Sequence, residues 1–296
     1  MTVQPAQYST RQKPPSGHAL EFDQLVFSGG GTRCFWQGGF LDVVKDPLTL
    51  KPERISSVSG GGLAGCCYIA GRGHQLLDVM GKACRKQRHN VEIDTNELKP
   101  VVPHQEIFRE VVTEVLDADA IAAIADGPAF QITLARPARS LPRKLAAILA
   151  ITLYEVDQHT RSSPHMAFPA AIGTRQLVVD ARAAARDGQI IDLVCAAAVI
   201  PPIFDMPTWP PGRADGHVLD AGTFDNAPMP QPDIGRTLVL LTRRYRNIPH
   251  HPDRLYVAPS RGVSADKIDF TSRTKIEDTW DEGIEDGKTF LRHHNL

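Results

Sequence analysis

One stretch constrains the fold more than any other: Ile55-Ser56-Ser57-Val58-Ser59-Gly60-Gly61-Gly62-Leu63-Ala64-Gly65. A run of β-branched and small residues leads to a serine. Three glycines follow, and an apolar Ala/Leu/Cys run then has the composition of a helix. A strand that turns sharply into a helix, with a serine held at the bend, is the arrangement of a nucleophile elbow. The bend brings strand and helix backbones close together, so its neighbours must be small, and glycine tolerates backbone angles that other residues resist. The usual G-x-S-x-G pattern is met except at its first position, where Ser57 stands in place of glycine. Gly/Ser clusters also make plain turns, so the role of Ser59 depends on what the rest of the chain supplies.

The preceding segment has the same design. Residues 20–27 have the pattern of a strand that becomes buried towards its end, and they run into Ser28-Gly29-Gly30-Gly31-Thr32-Arg33. Residues 34–44 then show the helical spacing of apolar side chains. Three consecutive glycines at a helix N-terminus expose backbone N–H groups and suit an anion. The loop carries neither G-x-G-x-x-G nor the lysine-bearing P-loop pattern. A tight turn, a phosphate site and an oxyanion hole remain open, and the last needs a nucleophile nearby. Two successive strand–loop–helix units favour an α/β fold with a mostly parallel sheet, because parallel strands need crossover helices. Both glycine loops then sit at the carboxyl ends of their strands and face one crevice.

Further strands are expected at residues 129–134, 175–180, 217–222, 236–242 and 255–259. Helices are expected at 104–125 (one or two), at 189–199 before Pro201-Pro202, and at 275–294 (one or two), the last with Ile276, Trp280, Ile284, Phe290 and Leu291 facing the core. A basic run at 136–144 beside an apolar run at 145–154 fits either contact with an anionic bilayer surface or a buried helix entered by a cationic loop. Residues 1–18 are polar and hold Pro5, Pro14 and Pro15, which suggests a disordered or loosely docked tail. With no repeat and no long linker, one domain over 19–296 is the simplest organisation.

Composition closes off some classes of function. A net charge of −1 gives no basic field to attract nucleic acid. Five cysteines without regular spacing do not make a disulfide framework, and adjacent Cys66 and Cys67 suit a helix core better than a metal. Without a Cys-x-x-Cys pair, a zinc site has little support. No apolar run is long enough to span a bilayer. The expected location is cytoplasmic, with at most a peripheral membrane contact.

A serine hydroxyl is a poor nucleophile until a neighbour takes its proton. None of the eleven histidines sits in a turn typical of a catalytic triad, and His217, three residues before Asp220, is the nearest candidate. Asp220 is the better one. It ends an apolar strand and precedes the turn Ala221-Gly222, so it faces the same crevice as Ser59. A free aspartate, with a pKa of about 3.9, is a weak base. Burial raises that value. The plainer alternative is a turn aspartate that caps backbone N–H groups.

Together these residues resemble the patatin-like phospholipases, α/β acyl hydrolases that use a Ser–Asp dyad. The family's glycine-rich oxyanion loop is matched by Ser28-Gly29-Gly30-Gly31-Thr32-Arg33, with Cys34 replacing the last glycine. Its elbow is matched by Ser57-Val58-Ser59-Gly60-Gly61 and its dyad motif by Asp220-Ala221-Gly222, followed by Asn226-x-Pro228 at a familiar spacing. Between them, residues 196–204 resemble the family's small-residue helix ending at a proline and an aromatic. The likeness runs from about Leu25 to Pro228, and residues 71–175 match nothing in it, so they are expected to shape the pocket.

The resemblance implies a three-layer α/β/α fold and hydrolysis of ester-linked acyl chains, foremost of phospholipids at a membrane surface. Ser59 is then the nucleophile and Asp220 the base. Gly29, Gly30, Gly31 and Gly60 form the oxyanion hole, and Arg33 orients the loop or meets a phosphate headgroup. It implies no cofactor, no metal and no nucleic acid partner. Ser57, Cys34 and Ala221 stand where glycine is usual, at a strain of about 1 kcal/mol or less each. They leave room for two other readings. One is an acyl hydrolase or acyltransferase acting on lysolipids, glycerides or thioesters. The other is an inactive lipid- or anion-binding protein on the same scaffold.

Overall fold

The computed structural model describes residues 20–86, 92–94, 99–101, 104–137, 162–165, 173–199, 206–213 and 215–296, with 149, 152, 156 and 159 placed singly. The N-terminal tail, most of the stretch 136–154 and the Pro201-Pro202 segment lie outside the described residues.

The central strand β1 (Gln24–Phe27) is buried along its whole length. It lies between β2 (Arg54–Val58) and β8 (Thr237–Leu240), parallel to both. Outside β8 lies β9 (Arg254–Val257), and outside β2 lies β5 (Ala129–Arg136), both again parallel. Strands buried on both faces need near-continuous apolar runs, as in Leu25-Val26-Phe27 and Leu238-Val239-Leu240. Two additions run the other way. The partly exposed β6 (Arg175–Asp180) pairs antiparallel with β5, and so does the two-residue β7 (Leu219–Asp220). A separate antiparallel pair, β3 (Glu92–Asp94) with β4 (Lys99–Val101), stands apart from the sheet and was not anticipated from sequence.

Helices flank this mostly parallel sheet, as the three-layer expectation requires. The crossover helices α1 (Phe35–Val44) and α2 (Gly61–Ala70) follow the two glycine loops. Cys66 and Cys67 are buried on α2, in the core position expected for them. Next come α3 (Gly73–Lys86), α4 (His104–Val115), α5 (Ala118–Asp126), α6 (Ala181–Arg186) and α7 (Ile190–Ala197). The C-terminal α8 (Arg273–His294) is one helix of 22 residues, not two. Its Ser272 cap accepts the N–H of Lys275, and Asn295 ends it in the left-handed conformation.

Helices α1 and α8 touch backbone to backbone. A Cβ on Gly39 would stand 2.0 Å from the Trp280 carbonyl oxygen, and one on Gly283 would stand 2.2 Å from that of Trp36. The contact is fixed by Trp36 Nε1 donating to Asp286 at 2.8 Å, and by Phe40 stacking on Trp36 and meeting Phe290 edge-on. The main core joins this helix pair to Leu25, Phe27, Ile55 and Leu240 on one face of the sheet. Alternate residues Val26, Val239 and Tyr256 point to the opposite face, against Ala227 and Tyr245.

Candidate active site

Ser59 follows directly on β2, and Gly61 opens α2 two residues later. Its φ of 55° is in the left-handed region, where a non-glycine residue is strained. That is the backbone signature of an elbow, since the sharp turn presents the side chain beyond the strand end. Ser57 is accommodated without disturbing it. Its hydroxyl faces the Gln131 carbonyl at 3.5 Å, and even a Cβ on Gly62 would sit 3.9 Å from its Oγ.

The sheet register brings Asp220 to Ser59. The β2–β5 ladder ends at the pair Val58–Thr133. The other edge of β5 is occupied by β6 through Arg136. The short β7 therefore takes the edge that β2 vacates, pairing Leu134 with Asp220. Asp220 thus lies in line with β2, just past its end. Ser59 Oγ donates to Asp220 Oδ2 at 2.6 Å. The second carboxylate oxygen accepts the Gly222 N–H at 2.7 Å, and the Asp220 N–H is tied to the Val199 carbonyl at 2.8 Å. Asp220 is fully buried, and burial raises its carboxyl pKa above the ordinary range. The Lys267 ammonium, the Ser59 hydroxyl and the Gly222 N–H pull it part of the way back. His217, the other candidate base, faces the Met206 carbonyl at 3.4 Å.

The glycine loop is held by its carbonyls. A trans peptide points its C=O and N–H in opposite directions, so anchoring each carbonyl aims the next amide. The Ser28 carbonyl accepts from Gln37 Nε2 at 3.1 Å and from Cys34 Sγ at 3.7 Å. Burial pushes the Cys34 thiol up to about 12, so it is a neutral donor. The Gly29 carbonyl accepts from Thr242 Oγ1 at 2.6 Å and Asn226 Nδ2 at 3.3 Å. The Gly30 carbonyl accepts from the Arg33 N–H at 3.2 Å and Nε at 3.4 Å. The N–H groups of Gly30 and Gly31 consequently point away from these anchors, and with that of Gly60 they meet no protein acceptor among the described residues.

Two expectations need correction. Gly29 offers no free amide, because its N–H donates to the Asn226 carbonyl at 3.1 Å; it shapes the loop. Arg33 is outside the cavity lining and braces the Gly30 carbonyl, so of its two expected roles it fills the structural one. Glycine is obligatory at Gly31, where φ is +57° and a Cβ would stand 1.8 Å from the Lys267 carbonyl oxygen.

Ser59 opens into a cavity walled largely by apolar side chains, among them Leu63, Leu76, Met80, Phe108, Val199 and Phe270. Leu76, Met80 and Phe108 come from the region expected to shape the pocket. Such a lining suits an acyl chain, with Ser59 at one end. Among the described residues, no group of three or more His, Cys, Asp or Glu is placed to hold a metal ion, and no helix is long and apolar enough to cross a membrane.

Several residues at the site carry no local sequence signal. Thr242 follows a buried strand, Gln37 lies within an apolar helix and Lys267 is in a loop far downstream. Only contacts across the fold reveal them. Asn226 was partly legible, through its spacing from Asp220. A family model for patatin-like phospholipase matches residues 25–233, nearly the span over which the motifs were recognised. Comparison with curated proteins finds no match. With its motifs assembled at one crevice and more than half of its length matched, the chain belongs to the patatin-like phospholipase family.

Proposed function

We propose that the protein hydrolyses ester-linked acyl chains of lipids through an acyl-serine intermediate, with Ser59 and Asp220 as a catalytic dyad. The observation that carries this is the 2.6 Å hydrogen bond from Ser59 Oγ to Asp220 Oδ2, made by a strained serine and a buried carboxylate. Ser59 Oγ attacks the acyl carbonyl carbon while Asp220 takes its proton. The raised pKa makes that carboxylate a better base than an exposed aspartate. The tetrahedral oxyanion is held by the N–H groups of Gly30 and Gly31, with Gly60 on the elbow side. Each such preorganised donor is worth a factor of ~10²–10³ in rate. Collapse breaks the ester C–O bond, and the leaving alcohol carries off the proton from Asp220. A water then adds to the acyl-serine, giving its proton to Asp220, and Ser59 recovers a proton as the fatty acid departs. The apolar cavity holds the acyl chain during both steps.

Fatty acid release from mixed phospholipid vesicles by wild type, Ser59→Ala and Asp220→Asn tests the reading, with fluorophosphonate labelling as a second readout. Both variants should be inactive, and Ser59→Ala unlabelled. Release by Ser59→Ala at the wild-type rate would overturn the proposal.

A further inference from the structure

Next to Asn226, which grips Gly29, lies a run of titratable side chains that the proposed mechanism does not use. His165 Nδ1 meets Asp225 Oδ1 at 2.9 Å, and its Nε2 meets the Tyr256 hydroxyl at 2.9 Å. A carboxylate only accepts, so Nδ1 carries a proton and, in the neutral ring, Nε2 accepts from Tyr256. The Tyr256 hydroxyl also meets the Arg254 guanidinium, whose Nη2 binds Asp233 Oδ2 at 2.5 Å. At the other end, Asp225 Oδ1 accepts the Ala227 N–H at 3.0 Å. The main chain follows the same pairing. His165 and Asp225 form an antiparallel bridge, and the Asn226 N–H donates to the Pro164 carbonyl at 2.9 Å. The start of this segment is tied down as well. The Ser162 carbonyl accepts the Asn247 N–H at 3.1 Å, and Ser162 Oγ accepts the Arg246 N–H at 3.2 Å.

We infer that His165 is a positioning residue for the oxyanion hole, which through Asp225 fixes Asn226 and so aims the Gly29–Gly30 peptide. The inference rests on the acyl-hydrolase reading above and adds to its machinery a residue from the stretch 71–175, which matches none of the family's motifs. Asn226 holds Gly29 twice: its carbonyl accepts the Gly29 N–H at 3.1 Å, and its Nδ2 donates to the Gly29 carbonyl at 3.3 Å. Its side chain also lies directly on Gly29, since a Cβ there would stand 2.7 Å from Asn226 Oδ1. A shift of Asn226 therefore moves the Gly29 peptide and, with it, the Gly30 N–H. The side chains of His165 and Asp225 are 24% and 22% exposed. A pair this wet adds little to stability, whereas a fully partnered run of directed bonds fixes orientation. The effect of His165 is thus expected in turnover more than in folding.

The test uses the full chain and a short-chain p-nitrophenyl ester, with His165→Asn and His165→Gln as variants. The asparagine amide nitrogen takes the place of Nδ1 and keeps the bond to Asp225. The glutamine amide reaches the place of Nε2 and keeps only the bond to Tyr256. His165→Gln should lower kcat about tenfold, less than the ~10²–10³ for outright loss of an oxyanion donor, because other anchors remain. KM should stay within about twofold, and the rate of fluorophosphonate labelling should fall in step with kcat. His165→Asn should keep kcat within about threefold of wild type. Hydrogen exchange of the Gly29 amide needs no turnover, and it should quicken about tenfold in His165→Gln but not in His165→Asn. Equal losses in the two variants would mean that the ring only fills space, and they overturn the inference. So does a loss confined to KM, or an unchanged Gly29 exchange rate in His165→Gln. In each of these cases, turnover that Ser59→Ala abolishes leaves the dyad reading standing.

Discussion

Replacing Thr242 by valine tests how the oxyanion loop is aimed. Thr242 Oγ1 donates to the buried Gly29 carbonyl at 2.6 Å, and Asn226 Nδ2 donates to the same oxygen at the longer distance of 3.3 Å. A methyl group cannot sit 2.6 Å from an oxygen, so valine removes the stronger bond and also pushes on the peptide. Losing one hydrogen bond while a second partner remains costs about 1 kcal/mol of stability. The larger effect is on catalysis. If the Gly29–Gly30 peptide tilts, the Gly30 N–H loses its aim at the oxyanion, and removing such a donor outright costs ~10²–10³ in kcat. Asn226 still restrains the peptide, so we expect kcat to fall between about tenfold and about 10²-fold. KM should hardly move, because the donor engages the transition state more than the bound ester. The assays are kcat and KM for fatty acid release, with the rate of fluorophosphonate labelling as a parallel readout. Thr242→Ser keeps the hydroxyl and should recover most of the rate. A kcat for Thr242→Val within about twofold of wild type, at a measured loss of stability, would refute the idea that this carbonyl anchor aims the amide.

Four further outcomes follow from the structure. Burial holds the Asp220 carboxyl above its ordinary range, so the native state binds that proton more tightly than the unfolded chain. This contribution to stability is present below the unfolded pKa and lost as pH rises through the raised folded pKa. Asp220→Asn should therefore be inactive yet more stable than wild type at neutral pH, with the gain shrinking in acid; a lower urea midpoint at neutral pH would contradict this. In the wild type, the acid limb of kcat/KM should lie above the range of an exposed aspartate. Gly39→Ala places a Cβ 2.0 Å from the Trp280 carbonyl oxygen and should destabilise by about 1–3 kcal/mol or more through forced separation of α1 and α8; an unchanged denaturation midpoint would show that the contact gives way freely. Ser57→Gly restores the usual elbow pattern, but Ser57 already fits, so kcat should stay within about twofold while stability drops about 0.5–1 kcal/mol. A large gain in kcat would reveal strain at Ser57.

Much of the site was legible because its chemistry is local. A serine between a buried strand and a glycine-rich helix start, and an aspartate before a glycine turn, are short-range patterns with short-range causes. Two successive strand–loop–helix units, starting at Leu25 and at Ile55, called for crossover helices and hence a largely parallel sheet. The oxyanion loop was only half legible. Its three glycines look alike in sequence, yet the Gly29 N–H is consumed by the Asn226 carbonyl while Gly30 and Gly31 keep theirs open. Arg33 presented the same ambiguity, since a guanidinium in a loop serves a ligand or a carbonyl equally well. What it meets is set by the fold.

The sequence by itself therefore determined which residue types meet the ends of β1 and β2, and that an aspartate ends a short apolar strand far downstream. Bends, caps and buried strands are fixed by neighbours a few positions apart. Only the tertiary structure decided that β7 continues the edge of β5 where β2 stops, which puts Asp220 against Ser59 across 161 positions of chain. It alone also recruited Thr242, Asn226 and Lys267 to a loop some two hundred residues earlier. The physical reason is common to all of these contacts. Each depends on strand register and on the close approach of backbones, and both are properties of the assembled sheet and helices.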